Sequence, residues 1–249
     1  MMPIRTWNGG IPSRVNRLPK DRRGFPVPWF VYWDDKGEPL FPVMDHGKLG
    51  QAIRHRKCWI CGEQLGKFFA FVIGPMCAVN RINSEPPSHV DCALFAARNC
   101  PFLVNPKQKR IVTQDGTEIV SRDRKIDVAG ARDAAGMPID RNPGCCAVWT
   151  TTSYKTFRPH GGNQGVLFEL GPMERLSFFA YGRPATRAEV EESVRTGLPF
   201  LMSTASKLDG KSGMVALHRQ IETFTRTLDE LTWPVAEDVD LRKLYGEAS

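Results

Sequence analysis

No stretch of this chain is apolar for long enough to cross a bilayer. The longest nearly apolar run, 68–79, has twelve residues and is broken by Gly74 and Pro75, whereas a spanning helix needs roughly 20. The opening segment, MMPIRTWNGGIPSRVNRLPKDRRG, lacks the apolar h-region of a secretory signal, so the expected compartment is the cytoplasm with no membrane partner. Cysteine is scarce and odd in number, seven in 249 residues, which argues against a disulfide scaffold. None is needed, because a chain of this length can bury an adequate core. At 41% apolar and 24% charged residues, wholesale disorder is also excluded. The length corresponds to one or two domains.

Charge is unevenly spread. Residues 1–125 hold 20 Lys/Arg against 11 Asp/Glu, while 126–249 hold 14 against 16. The net charge of +7 therefore belongs to the first half. Eleven of its 20 cations fall into three groups: Arg14, Arg17, Lys20, Arg22 and Arg23; Arg54, Arg56 and Lys57; and Lys107, Lys109 and Arg110. Such groups suit a polyanion, because each neutralised phosphate releases counterions. A single Lys/Arg run is more often just a solvated surface, and only the three taken together bring the polyanion reading level with it.

Patterning gives an α+β chain. Residues 1–24, with three prolines and six Lys/Arg against Asp21, read as a flexible basic arm. Residues 27–33 (VPWFVYW) read as a strand returning over 40–43, and Leu49, Ala52 and Ile53 mark a short helix ending near Lys57. Residues 68–73 and 76–82 read as a hairpin about Gly74-Pro75. A helix follows, with Ser88 as N-cap, an apolar face of Val90, Ala93, Leu94 and Ala97, and Pro101 as its stop. A polar stretch, 104–145, holds one expected hairpin, 110–113 with 117–120. In the second half, 146–152 reads as a strand and 166–170 with 176–181 as a hairpin about Gly171-Pro172. Thr186 and Glu189 form a capping box whose helix closes at Gly197, and a longer helix covers 213–231. The expected division is an arm (1–24), a basic domain (25–125) that carries a Cys/His motif, and an α+β domain (126–249).

The most specific motif is Cys58-x-x-Cys61 followed, after 27 intervening residues, by His89-x-x-Cys92. The first pair lies in CWICG, whose glycine permits a tight knuckle. The second pair lies in the first turn of the expected helix, where the dipole favours a thiolate. Four N/S ligands suit tetrahedral zinc, and three Cys with one His is a structural set. The order knuckle, hairpin, helix over about residues 57–100 resembles the treble-clef zinc module. That resemblance implies Cys58, Cys61, His89 and Cys92 as ligands. Cys100 is the rival ligand, two helical turns beyond Cys92; Cys77 reads as core. A redox pair would need a βαβ setting that is missing. WFVYW, CWICGEQLG and AFVIGPMCAVNR further resemble segments of uncharacterised bacterial and phage-encoded proteins.

Catalytic motifs are thin. HNH nucleases, which share the treble clef, would need a histidine between Cys61 and His89, and none is there; the one Asp-His pair, Asp45-His46, precedes the knuckle. No H-x-E occurs, which removes a zinc deaminase. Ala205 to Ser212 approaches a P-loop but reads as a linker between helices, because too little chain follows for further βα units. Cys145-Cys146 reads as core rather than as a nucleophile paired with His160. Gly161 to Gly165 is a phosphate loop in composition only, since a strand follows it. Trp29, Phe30, Tyr32 and Trp33 could stack bases, although alternation sends one set inward. The expectation is therefore a zinc-stabilised, non-catalytic protein that binds nucleic acid or a nucleoprotein complex. The alternative is an assembly factor docking a protein partner through its C-terminal half, and third an HNH-like nuclease.

Overall fold

The computed structural model describes residues 7–105, 118–121, 124–127, 142–158 and 165–234, and its fold is α+β. In chain order, α1 (Ser13–Asn16) precedes a hairpin of β1 (Val31–Trp33) and β2 (Pro39–Met44), then α2 (His46–His55). The knuckle follows, and after it come β3 (Phe69–Ile73), α3 (Pro75–Asn80), β4 (Ile82–Asn83), α4 (Val90–Asn99) and α5 (Pro101–Val104). A small pair, β5 (Glu118–Ser121) with β6 (Arg124–Asp127), stands alone. The rest comprises β7 (Cys146–Thr151), β8 (Tyr154–Phe157), β9 (Leu167–Leu170), β10 (Arg175–Ala180), β11 (Arg183–Pro184), α6 (Arg187–Leu208) and α7 (Gly210–Glu230).

A four-stranded antiparallel sheet, ordered β11-β10-β7-β3, forms the centre. Its middle strands are covered on both faces, so β7 reads CAVWTT with every residue buried rather than alternating. One face, carrying Ala70, Cys146, Val148 and Phe179, packs on Val90, Ala93, Leu94 and Ala97 of α4. The other, carrying Phe71, Trp149, Leu176 and Phe178, meets Phe168 and Leu170 of β9 and Leu217, Phe224 and Leu228 of α7. β9 belongs to a second sheet, β4-β9-β8. Strand β3 lies before residue 125 and its neighbour β7 after it, so one sheet joins the two halves of the chain.

Several elements differ from the sequence expectation. The 68–82 hairpin is a strand, a helix and a two-residue strand: Pro75 takes the first helical position, where its missing N–H costs nothing, so GPM opens α3 instead of a turn. The expected 166–181 hairpin is also absent. Gly171 carries the chain from one sheet to the other, with its N–H on the Ser153 carbonyl at 3.1 Å, in a place where any Cβ would collide with that oxygen. Helix α6 does not close at Gly197 but runs through it and Pro199 to Leu208. Gly197 is a notch in which Met76 of α3 sits, so it serves packing rather than termination. His89, not Ser88, is the N-cap residue of α4. Residues 110–113 lie outside the described residues; 118–121 pairs instead with 124–127.

The expected arm is packed over its described part. Val15 is 1% exposed, and Trp7 sits against Phe25 and Phe95 at centroid distances of 5.7 and 5.3 Å. Asn8 exchanges hydrogen bonds with Asn99 at the end of α4.

Candidate metal centre

The knuckle is made by the backbone. Lys57 and Gln64 bridge in antiparallel fashion, the Cys58 N–H donates to the Glu63 carbonyl at 2.7 Å, and the Gly62 N–H returns to the Cys58 carbonyl at 2.8 Å. Gly62 takes φ +78°, a conformation that L side chains rarely adopt. The Cys61 and His89 N–H groups both point at Cys58 Sγ, each at 3.4 Å. On the other side, Ser88 and Ala70 exchange backbone hydrogen bonds of 2.7 and 2.9 Å, which ties the start of α4 to β3. This bridge brings His89 and Cys92 to the knuckle.

The ligand atoms of Cys58, Cys61, His89 and Cys92 all lie within 4.8 Å of one another, and all four residues are buried. They form a cluster that could hold a metal ion. The donor set fits: with metal–sulfur bonds of about 2.3 Å and a metal–nitrogen bond of about 2.0 Å, tetrahedral edges are about 3.5–3.8 Å. Cys61 Sγ and His89 Nδ1 already stand 3.4 Å apart. His89 Nε2 lies 3.0 Å from the Gln64 carbonyl, an acceptor only. Nε2 therefore carries a proton, which leaves Nδ1 as the nitrogen that would face a metal once its own proton is displaced.

Without a metal, Cys58, His89 and Cys92 are shifted in different directions. Burial opposes ionisation of Cys58, but hydrogen bonds from Cys61, Cys92 and His89 outweigh it and hold its pKa well below that of an ordinary thiol. Burial likewise opposes a charged His89, yet its bonds to Cys58 and Cys61 push its pKa up to about 10. Cys92, hydrogen-bonded to those two sulfurs and buried, is raised and stays a thiol. The apo cluster thus favours a thiolate at Cys58, a cation at His89 and a thiol at Cys92, and an incoming metal ion must displace protons.

The remaining cysteines stand apart. Cys100 caps the C-terminal end of α4, and burial raises its pKa. Cys77 is pushed up to about 11, and burial raises Cys146 as well, as expected of core thiols.

The basic residues divide. Arg14 pairs with Asp91 at 3.4 Å, Arg17 with Glu63 at 2.6 Å, Arg22 with Glu38 at 2.7 Å and Arg23 with Asp21 at 2.8 Å. In contrast, Arg54, Arg56 and Lys57, at the C-terminal end of α2, pair with no acidic side chain among the described residues. Arg56 lies over the Phe69 ring at 5.0 Å and Lys57 over Trp29 at 5.4 Å. Trp29 in turn rests on Gly62 of the knuckle, where an added Cβ would clash with its ring. Lys107, Lys109, Arg110 and His160 lie outside the described residues. Sequence reasoning missed the internal use of Arg14 and Arg17; the available signal was an acid beside each ligand pair, Glu63 after Cys61 and Asp91 before Cys92.

The look-alike motifs fall into ordinary structure. Ala205 lies inside α6, and Gly210 to Ser212 open α7, with no strand before them. Asp45 is the N-cap of α2, accepting from the Gly47 N–H at 3.0 Å. Among the described residues, no helix is long and apolar enough to cross a membrane. Comparison with protein-family models, with curated proteins and with solved structures gave no match.

Proposed function

We propose that Cys58, Cys61, His89 and Cys92 bind one zinc ion in a treble-clef-like module, and that the protein is a non-catalytic binder of nucleic acid or a nucleoprotein complex. The four-residue cluster supports the first part. Four protein ligands leave no position for a substrate or a reactive water, so the ion holds shape. The second part is carried by the three cations at the end of α2, which have no acidic partners among the described residues and flank the knuckle. Arg14, Arg17, Arg22 and Arg23 contribute less to such a surface, since each already faces an acid. The test is a mobility shift against salt with Arg54, Arg56 and Lys57 all changed to Gln. Affinity should fall for every sequence, and the slope of log K against log salt should flatten by about 0.7–0.9 for each phosphate that is no longer neutralised. An unchanged slope removes this face from the reading.

A second reading has its own observation. Phe200, Leu208 and Val215 are 53%, 68% and 54% exposed along α6 and α7. An assembly factor could seat a protein partner there. A stable complex that survives nuclease treatment and is lost in Phe200→Ser/Leu208→Ser would favour it.

A further inference from the structure

The helix α1 lies across the metal centre and touches both segments that carry its ligands. Arg14 reaches Asp91, whose other carboxylate oxygen accepts the Cys92 N–H at 2.9 Å. Arg17, one turn on, reaches Glu63, whose carbonyl accepts the Cys58 N–H. Between them, Val15 packs into the same buried cluster as Cys58, Cys61 and Cys92. The helix is also fixed from both sides, by Trp7 and Asn8 on α4 and by the Val27 N–H on the Pro19 carbonyl at 2.7 Å.

Charge gives this arrangement a purpose. A divalent ion with three thiolates and a neutral imidazole leaves a net charge of −1 in a buried place. Arg14 is the cation beside it. Its side chain is 27% exposed and that of Asp91 is 17%, so solvent screens this pair less than Arg17–Glu63, at 63% and 45%.

We propose that α1 is a latch over the metal centre: Arg14 and Arg17 clip the knuckle to the start of α4 and set how slowly the ion is lost. This inference rests on the metal reading above, but not on the nucleic-acid one. Arg14 and Arg17 are then positioning residues of the metal site rather than phosphate ligands.

The experiment uses the full chain loaded with zinc and follows release to an excess of chromophoric chelator. Arg14→Met keeps the length and packing of the side chain and removes the charge. It should release zinc about 10-fold faster, the lower end of what partners of metal ligands contribute. Arg14→Lys, which keeps the charge, should restore most of the retention. Arg17→Met should accelerate release about twofold, as expected of an exposed pair. The salt slope of polyanion binding should be unchanged in all three.

Equal release from the wild type and Arg14→Met overturns the latch. So does equal release from Arg14→Met and Arg14→Lys, which would reduce Arg14 to a packing residue. A flattened salt slope in Arg14→Met would return the arginine to the polyanion surface. A wild-type chain that holds no zinc sinks the metal reading itself, and is told apart by metal content before any rate is measured.

Discussion

The knuckle region and the central sheet are held together in opposite ways. Around Cys58 to Gly62 the chain is knotted by backbone hydrogen bonds, four convergent ligand atoms and two ion pairs from α1. Around β7 and β10 the cohesion is aromatic and aliphatic: Phe71, Phe168, Phe178 and Phe179 are each at most 1% exposed. Strand β3 belongs to both, lying in the sheet while tying Ser88 to Ala70. The contrast shows how one chain uses chemistry where sequence separation is modest and apolar burial where it is large. Ligands 31 and 34 residues apart can be recruited by an ion, whereas β3 and β7, some 75 residues apart, meet through core surface.

Removing a ligand should separate the two regimes most sharply. Structural zinc contributes about 10–16 kcal/mol in small modules, against a total of about 5–15 kcal/mol for a typical domain. Cys61→Ser should therefore lose the ion and unfold the segment from α2 to α4, measured by elemental analysis and limited proteolysis. A metal-free wild type that is fully folded would break the comparison from this side.

Next in size is the sheet. Phe178→Ala removes a ring packed on Trp233 and Phe224 and should cost about 3–5 kcal/mol in urea unfolding. Metal content of the folded fraction should stay at one per chain. Loss of the ion in that variant would mean that the two regimes are not separable.

Acid should act on the knuckle before it acts on the sheet. In the folded apo chain the pKa of His89 is raised to about 10. The His89 cation therefore stabilises that state fully below the unfolded histidine value, near 6.5, and this is lost as pH rises through about 10. Metal binding has the opposite sign, because it requires neutral imidazole and thiolates. Zinc affinity should fall at least about tenfold for each pH unit removed between 8 and 6, one proton being displaced from His89 alone. A chelator competition series that shows no pH dependence would remove His89 from the ligand set.

The smallest effect belongs to a helix end. Thr186 and Glu189 make the capping box of α6, and Arg183 holds the Glu189 carboxyl down to about 2. Thr186→Ala should cost about 1 kcal/mol in thermal or urea unfolding. The Glu189 contribution is present above about pH 4.5 and disappears as pH falls through about 2. An unaltered melting curve would show that α6 is fixed by its packing on α3 and α7 rather than by its cap.

The legible parts of the sequence were those decided locally. Cys-x-x-Cys with glycine after it specifies a knuckle, and Thr186 with Glu189 specifies a helix start, from neighbours alone. Strands 146–151 and 69–73 were visible as β-branched and aromatic runs. The misreadings came from residues whose role depends on distant chain. Gly197 looks like a stop and is a socket for Met76. Gly171 looks like a hairpin turn and is a crossing between two sheets. Arg14 and Arg17 look like free charge and face Asp91 and Glu63, which lie 77 and 46 residues away and show only as acids beside the ligand pairs.

The pairing of β3 with β7 also orders events in time. All four ligand residues leave the ribosome about 60 residues before Thr151 completes β7. At about 5–20 residues per second, that interval lasts about 3–12 s. Throughout it, β3 has one long edge without its final neighbour, an edge of the kind that invites pairing with other chains. An ion captured early would hold β3 against α4 during this interval. Zinc supply during translation would then govern the yield of native protein as much as the stability of the finished fold. Pulse-labelled synthesis with and without chelator should show the deficit as aggregated nascent chains rather than as unfolding of mature ones.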